Sequence, residues 1–219
     1  MLRLKARVLK KAKANSSRKS RQVGHGTNQL RIIGGRWRGR KLNFANGEGL
    51  RPTMDRVRET LFNWLQGEIV GARCLDLFTG SGALGLEALS RYAGEVVMID
   101  KNPHAIAAIR KNLELLEIDN ASLLKEDARK FLSDQNLFAE EVSEKTFDIV
   151  FLDPPFHKQL IAPFCDLLSQ SGCLSQQASI YIEMEKDASM PDLPDGWQVQ
   201  REKRAGQLAY YLISVDSTD

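Results

Sequence analysis

The stretch Cys74-Leu75-Asp76-Leu77-Phe78-Thr79-Gly80-Ser81-Gly82-Ala83-Leu84-Gly85 decides the fold of this chain. An apolar run, a turn with glycines in GxGxxG spacing and a helix start follow one another, which is the usual order of a nucleotide-binding βα unit. Gly80, Gly82 and Gly85 let the backbone approach a ligand closely and let the helix pack tightly on the strand. Alone, this spacing is a weak signal.

Strand and helix signals alternate after this stretch, which indicates a parallel sheet with crossover helices. The patterns predict strands near 73–78, 95–100, 121–125, 147–153 and 179–184, and helices near 82–92, 103–116, 127–133 and 158–170. The last apolar runs, Trp197–Glu202 and Leu208–Val215, leave no room for a helix between them, so we expect them to pair antiparallel. Such an ending differs from the all-parallel dehydrogenase sheet and matches the seven-stranded methyltransferase sheet.

Acidic residues near the ends of the first three predicted strands form a candidate cofactor site. A carboxylate at Asp100 would accept the hydroxyls of a ribose, a role compatible with capping the next helix. Asp76 would repel a pyrophosphate and attract a sulfonium, which favours S-adenosylmethionine over NAD. Asp127 could accept from an adenine amino group or cap its own helix. The predicted cofactor contacts here are Asp76, Phe78, Thr79, Gly80, Ser81, Gly82, Asp100, Asp127 and Ala128.

The predicted strand Phe147–Asp153 delivers the tetrapeptide Asp153-Pro154-Pro155-Phe156 to the same edge of the sheet. A nucleobase amine is a poor nucleophile because its lone pair is delocalised into the ring. If Asp153 and the Pro154 carbonyl each accept one N–H, the lone pair faces an electrophilic methyl group, while Phe156 stacks on the base. A stiff turn is the alternative, but the position after the fourth strand favours catalysis. This chemistry needs no metal.

Positive charge is concentrated at the front of the chain. Residues 1–58 contain 17 Lys and Arg against 2 Asp and Glu, whereas the whole chain has 31 basic and 28 acidic residues. We expect 1–28 to be a disordered basic tail, for which polyanion binding and simple solvation are equally open and a transit peptide is less favoured. Residues 31–58 interleave basic with apolar side chains, which favours nucleic-acid binding.

Two local structures are predicted in this basic front. Leu30–Ile33 and Arg36–Leu42 read as short strands about a turn at Gly34-Gly35, with basic side chains alternating outward. A helix is predicted from an N-cap at Thr53 to about Gln66. The predicted domains are the tail 1–28, a basic hairpin extension 29–50 and a main domain 51–219.

Four motifs in order resemble the RsmD family of bacterial 16S rRNA guanine-N2 methyltransferases; they lie at Arg31–Leu42, Arg51–Trp64, Gly80–Arg91 and Asp153–Phe156. The resemblance runs from about residue 30 to 212. It implies a class I, Rossmann-like α/β fold with a seven-stranded, mostly parallel sheet, and S-adenosyl-L-methionine as cofactor. It also implies methylation of one guanine of 16S rRNA, guanine 966, in the small ribosomal subunit or its assembly intermediate.

The resemblance also implies further contacts in the front of the chain. Thr53 and Arg56 would lie over the cofactor and meet its methionine carboxylate. The implied rRNA contacts are Arg36, Arg38, Arg40, Lys41 and Arg51. Pairing of these basic side chains with the acidic body of the protein is the alternative.

Composition sets the remaining expectations. Cys74, Cys165 and Cys173 lack CxxC spacing and are expected to be buried thiols in a reducing cytoplasm, and the scattered histidines give little support to a zinc site. No apolar run approaches the ~20 residues needed to cross a bilayer, so a soluble protein is expected. A cytoplasmic location and a monomeric state are further expectations.

Other functions stay open from the residues. Similar Pro-Pro-aromatic loops serve amino-methyltransferases that act on DNA adenine or protein glutamine. An NAD-dependent oxidoreductase and an RNA-binding chaperone with a vestigial pocket are more distant alternatives.

Overall fold

The computed structural model describes residues 28–44, 53–134 and 146–216. The strands are β1 (Asn28–Arg31), β2 (Lys41–Phe44), β3 (Arg73–Asp76), β4 (Glu95–Ile99), β5 (Ala121–Leu124), β6 (Phe147–Leu152), β7 (Leu174–Glu185), β8 (Trp197–Ala205) and β9 (Leu208–Val215). The helices are α1 (Asp55–Trp64), α2 (Ala83–Ser90), α3 (Pro103–Leu116), α4 (Ala128–Ser133) and α5 (Ile161–Gln170).

Seven strands form one sheet in the order β5-β4-β3-β6-β7-β9-β8, and β1 pairs with β2 separately. Strands β3 to β7 are parallel, whereas β9 runs antiparallel to both β7 and β8. The predicted parallel sheet and antiparallel C-terminal hairpin are therefore confirmed. Strand β3 lies between β4 and β6, so the strand order reverses there, and ligands of such sheets bind at this switch point.

Successive side chains of the central strands enter two different hydrophobic layers. In β6, Ile149 and Phe151 pack towards α1, α2 and α3, whereas Val150 and Leu152 pack towards α4 and α5. The β1–β2 pair joins the first layer through the buried side chains of Leu30, Ile32 and Leu42. Helices therefore cover both faces of the sheet, as the near-continuous apolar sequence of its parallel strands requires.

The basic hairpin is present, but its second strand is shorter than predicted. Residues 34–39 form a turn, and β2 begins at Lys41 rather than at Arg36. The end of α2 holds this turn, since the Ser90 carbonyl accepts from Arg36 N at 2.7 Å and Ser90 Oγ accepts from Trp37 N at 3.0 Å. Backbone amides that bond to a helix end cannot also pair in a ladder, so the strand predicted at 36–42 is wrong in its first half.

One predicted cap, at Thr53, and one alternative interpretation, capping by Asp100, are also wrong. Met54, with no side-chain hydrogen bond, occupies the N-cap of α1, while Thr53 bonds to another element. Asn102 caps α3 by accepting from His104 N, so Asp100 does not. The other boundaries differ from the predicted ones by a few residues, and β7 extends five residues further towards its N-terminus.

No helix within the described ranges is long and apolar enough to span a membrane. The predicted tail, apart from its last residue, and the predicted RNA contact Arg51 lie outside the described residues. The three cysteines are buried and free, as predicted.

Candidate active site

The glycine turn after β3 and the tetrapeptide after β6 lie at the same edge of the sheet. Asp76 pairs with Phe151 in the parallel ladder, and Leu77 N donates to the Phe151 carbonyl at 3.2 Å. Asp153 follows two residues later. The sequence therefore placed both halves of the site correctly, because parallel neighbours present their carboxyl ends together. The chemical roles of these residues remain predictions.

Asp76 stabilises the glycine turn through hydrogen bonds to both of its ends. Its side chain is 1% exposed, and Oδ2 accepts from Thr79 Oγ1 at 3.1 Å and from Gly85 N at 3.0 Å. A Cβ at Gly85 would lie 2.6 Å from Met98 Sδ, so glycine is required for this close helix packing. Burial raises the pKa of Asp76 to about 7, although the hydrogen bonds from Thr79 and Gly85 oppose this shift. Asp76 is therefore partly protonated near neutral pH, and carries less charge than predicted.

The backbone amides of the glycine turn are largely engaged by the protein itself. Thr79 N donates to a β4 carbonyl at 3.0 Å, Gly82 N donates to the Thr79 carbonyl at 2.6 Å, and Gly80 N donates to Asp100 Oδ2 at 2.9 Å. The other Asp100 oxygen accepts from Asn102 N at 2.7 Å. Amides with such partners do not form the anion nest that a pyrophosphate needs. The turn thus fits a nucleoside with a cationic group better than a dinucleotide.

The end of β5 contributes Asp127 and Ala128. Asp127 is exposed and caps α4 by accepting from Arg129 N at 2.9 Å, which confirms the capping alternative, and Ala128 is buried. A carboxylate has about four acceptor positions, so this cap leaves capacity for a ligand amine. Next to the glycine turn, Phe78 contacts Phe164 of α5 edge-on, with 4.9 Å between ring centroids.

Asp153 is half-buried at the start of the turn after β6. Its Oδ2 accepts from Thr53 Oγ1 at 3.3 Å. Burial raises the pKa of Asp153 well above its usual range, and the negative charges of Glu183 and Asp76 add to this effect, while the Thr53 hydrogen bond opposes it. Such a strongly perturbed pKa makes this half-buried carboxyl group a candidate catalytic residue.

Glu183 and Tyr181 of β7 belong to this site and were missed in the sequence. Ile182 pairs with Leu152 in the parallel ladder, so Glu183 lies beside Asp153. Tyr181 donates its hydroxyl hydrogen to Glu183 Oε2 at 2.7 Å, and burial raises the pKa of Glu183 to about 6. The sequence feature that could have revealed Glu183 is its position within an otherwise apolar strand, because burying an ionised side chain there costs free energy unless it has a partner.

The loop after Asp153 is fixed to the end of β7. His157 and Gln159 adopt positive φ angles of 61° and 49°, which non-glycine residues rarely do. The backbone amide of His157 donates to Glu185 Oε1. Next in the chain to His157, Phe156 is half-buried, and Pro154 is buried. Strained backbone of this kind concentrates at functional sites, where the surrounding structure maintains it.

Arg58 is a third residue that sequence reasoning missed. Its side chain is fully buried and donates to the carbonyls of Thr53 at 3.2 Å and Arg31 at 2.8 Å, and to carboxylate oxygens of Asp55 at 2.7 Å and Glu87 at 3.4 Å. The cause is tertiary: the arginine of α1 is enclosed where β1, through the Arg31 carbonyl, and α2, through Glu87, both contact it.

Glu87 of α2 is the acidic centre of the same contacts. Its carboxylate also accepts from the amides of Ile33 and Gly34, both at 2.8 Å, and from Arg91 Nε at 2.8 Å. Hence the basic hairpin is fixed to the helix that begins at the glycine turn.

The predicted RNA contacts share one exposed region at some distance from Asp153. Arg36, Arg38, Arg40 and Lys41 are exposed on the hairpin. Arg56, a predicted cofactor contact, is exposed on α1. The turn that carries the arginines contacts the end of α2, whereas the catalytic edge lies at its start. Eight helical residues span ~12 Å, so the turn that carries these side chains contacts α2 at the end opposite to the glycine turn.

The strand order with its antiparallel β9, and the acid-lined edge where β3 meets β6, define a class I methyltransferase fold. The family model "Conserved hypothetical protein 95" matches residues 30–214. The chain is 48% identical to Ribosomal RNA small subunit methyltransferase D of Escherichia coli K12, over 88% of this chain and 93% of that protein. The chain therefore belongs to this methyltransferase family, the RsmD family.

Two further comparisons agree. The Haemophilus influenzae protein of the same name is 42% identical, over 87% of this chain and 96% of that protein. A solved structure of the Escherichia coli protein yhhF superposes with a TM-score of 0.77 at 44% identity, covering 87% of this chain and all of that one. The similarity thus covers almost the whole length of these relatives.

Proposed function

We propose that this protein transfers a methyl group from S-adenosyl-L-methionine to the exocyclic N2 amine of a guanine in 16S rRNA, guanine 966, within the small ribosomal subunit or its assembly intermediate. The observation that carries the proposal is Asp153, a half-buried carboxylate beside the glycine turn of a methyltransferase fold. The names of the relatives support ribosomal RNA as the substrate class.

The residues at the edge of the sheet fit the proposed cofactor. Asp100 keeps acceptor positions for ribose hydroxyls, Asp127 can accept from the adenine amine, and the Gly80–Gly82 backbone permits close approach. Arg56 is exposed at the start of α1, where it could meet the methionine carboxylate. When bound, the cofactor supplies an electrophilic methyl group on a positively charged sulfur.

In this proposal the tetrapeptide Asp153–Phe156 after β6 binds the N2 amine of the guanine. Asp153 and the Pro154 carbonyl would each accept one N–H, which directs the nitrogen lone pair, and Phe156 would stack on the base. The amine loses one proton on methylation. The methylated nitrogen is positively charged and therefore strongly acidic, so an ionised Asp153 could accept this proton.

The exposed basic hairpin supplies the proposed contact with RNA phosphates. Because the hairpin turn contacts the end of α2 and the glycine turn precedes its start, the substrate would extend from the hairpin along α2 to the catalytic edge. The target guanine must also leave its stack to enter the site, which costs a few kcal/mol. A structured RNA in a ribosomal particle meets both demands through many phosphate contacts.

The test is methyl transfer from tritiated S-adenosylmethionine to small-subunit particles from cells that lack the protein, followed by mass mapping of the product. We expect one N2-methylguanine and complete loss of transfer in Asp153→Ala, with S-adenosylhomocysteine binding retained in calorimetry. Asp166→Ala on α5 is the matched control, since it removes an exposed carboxylate away from this edge and should keep activity. Transfer by Asp153→Ala would contradict the proposed role of Asp153.

The alternatives have distinct results in the same experiment. Methyl transfer to DNA adenine or to a protein glutamine, with none to the ribosomal particle, would show that the protein is a methyltransferase with a different substrate from the one proposed. Tight NADH binding without S-adenosylhomocysteine binding would overturn the enzyme class itself.

A further inference from the structure

The hydroxyl of Thr53 reaches Asp153 from outside the sheet. Thr53 is buried and lies two residues before α1, and its Oγ1 is 3.3 Å from Asp153 Oδ2. Sequence similarity had implied a contact between this residue and the cofactor. In the structure its hydroxyl is directed at the carboxylate assigned to the substrate amine.

The position of Thr53 is fixed by the buried charges behind it. Arg58 Nε donates to the Thr53 carbonyl at 3.2 Å, and Arg58 is itself held by Asp55 and Glu87. The side chains of Arg58 and Glu87 are both fully buried. A segment anchored in this way keeps its hydroxyl in place without depending on the substrate, which is the preorganisation that catalysis requires.

We propose that Thr53 is a positioning residue for Asp153: its hydroxyl holds Oδ2, leaves Oδ1 for the N–H of the substrate amine, and favours the ionised form of the carboxylate. This inference rests on the proposed function and adds a residue to that same site.

The surroundings of Asp153 explain why such a donor is needed. Burial disfavours the ionised form of Asp153 most, and repulsion from the carboxyl groups of Glu183 on β7 and, where it is ionised, Asp76 on β3 adds to this effect. The Tyr181 hydroxyl donates its hydrogen to Glu183 and not to Asp153. The Arg58 guanidinium, on α1, donates to the Thr53 carbonyl. The hydrogen bond from Thr53 is the contact that favours the ionised form of Asp153. Without it, Asp153 would hold a proton at higher pH and lose an acceptor.

Thr53→Val is the decisive variant, because valine has almost the shape of threonine and no hydroxyl. Thr53→Ser is its matched control, since serine restores the donor. We expect the acid limb of the kcat profile to move up by about one pH unit in the valine variant, the size expected for losing a hydrogen bond to a charged group. The serine variant should retain the acid limb of the wild-type protein. Affinity for S-adenosylhomocysteine should change less than about twofold in both, because Thr53 acts through Asp153.

A second measurement does not depend on activity. The side-chain carboxyl carbon of Asp153, assigned by its disappearance in Asp153→Asn, can be titrated by 13C NMR in the full-length protein. The valine variant should titrate at higher pH than the wild-type and serine proteins. Thr53→Ala serves the same purpose if the valine variant does not fold.

The outcomes separate this inference from the proposed function. Wild-type protein that methylates no particle would remove the proposed function and, with it, this role of Thr53. Active wild-type protein with identical titration and pH profiles in the valine and serine variants would overturn the inference alone. A tenfold loss of S-adenosylhomocysteine affinity in Thr53→Val, with an unchanged pH profile of kcat, would overturn the positioning role and indicate that Thr53 contacts the cofactor.

Discussion

Replacement of Arg58 by methionine tests whether buried charge holds the hairpin and α1 together. Methionine fills a similar volume but removes every donor of the guanidinium. The carbonyls of Thr53 and Arg31 would lose a hydrogen-bond donor each, and Glu87 would lose one of its two arginine partners. The protein should therefore unfold at lower denaturant concentration, although its core volume is nearly conserved.

The expected loss follows from burial. Removing one partner of a buried ion pair costs ~3–5 kcal/mol. Glu87 keeps Arg91 and two backbone amides, so the lower part of this range applies, ~3–4 kcal/mol. For a protein of this size the melting temperature should fall by ~6–16 °C.

Arg31→Met provides the matched control. Arg31 contacts the same Asp55, but its side chain is 58% exposed, and exposed pairs contribute ~0–1 kcal/mol. Both variants and the wild-type protein should be unfolded in urea, and their free energies obtained by linear extrapolation with a common slope. A loss under ~1 kcal/mol for Arg58→Met, or equal losses for the two variants, would refute the reasoning that burial decides the contribution.

Two further predictions concern charge. Asp76 has a pKa of about 7 in the folded protein, above its value of 3.8 when solvated, so its contribution to stability is largest below about pH 4 and is lost as pH rises to 7. The free energy of unfolding of Asp76→Asn, measured in urea, should therefore rise relative to that of the wild-type protein between pH 5 and 8, by up to ~4 kcal/mol. Parallel plots of this free energy against pH for the two proteins would contradict a raised pKa of Asp76. Arg38→Glu with Arg40→Glu should weaken particle binding and reduce its salt slope by at least ~2, whereas Arg201→Glu with Lys203→Glu on β8 should leave both unchanged. An unchanged slope in the first pair would mean that the hairpin does not contact phosphate.

The parts of the fold that depend on local sequence were predictable. Apolar runs between turn residues located the strands of the sheet, and the short connection between β8 and β9 required antiparallel pairing. The convergence of Asp76 and Asp153 also followed, because parallel strands bring their carboxyl ends to one edge.

What escaped prediction depends on contacts between distant segments. Arg58 looks like a solvated residue of an amphipathic helix, and its burial arises because the hairpin covers it. Glu183 carries no motif, and its closeness to Asp153 follows from the register of β6 and β7. The hairpin turn was misplaced since Ser90, more than fifty residues away, takes the amides that a strand would use.

The attachment of the hairpin to Glu87 has a consequence for protein engineering. The amides of Ile33 and Gly34 donate to Glu87. The side chains of Leu30, Ile32 and Leu42 pack into the hydrophobic core beside α1 and α2. The hairpin is therefore no detachable module, although the sequence draws a boundary near residue 50. Anyone who grafts it onto another methyltransferase must transplant the matching faces of α1 and α2 as well.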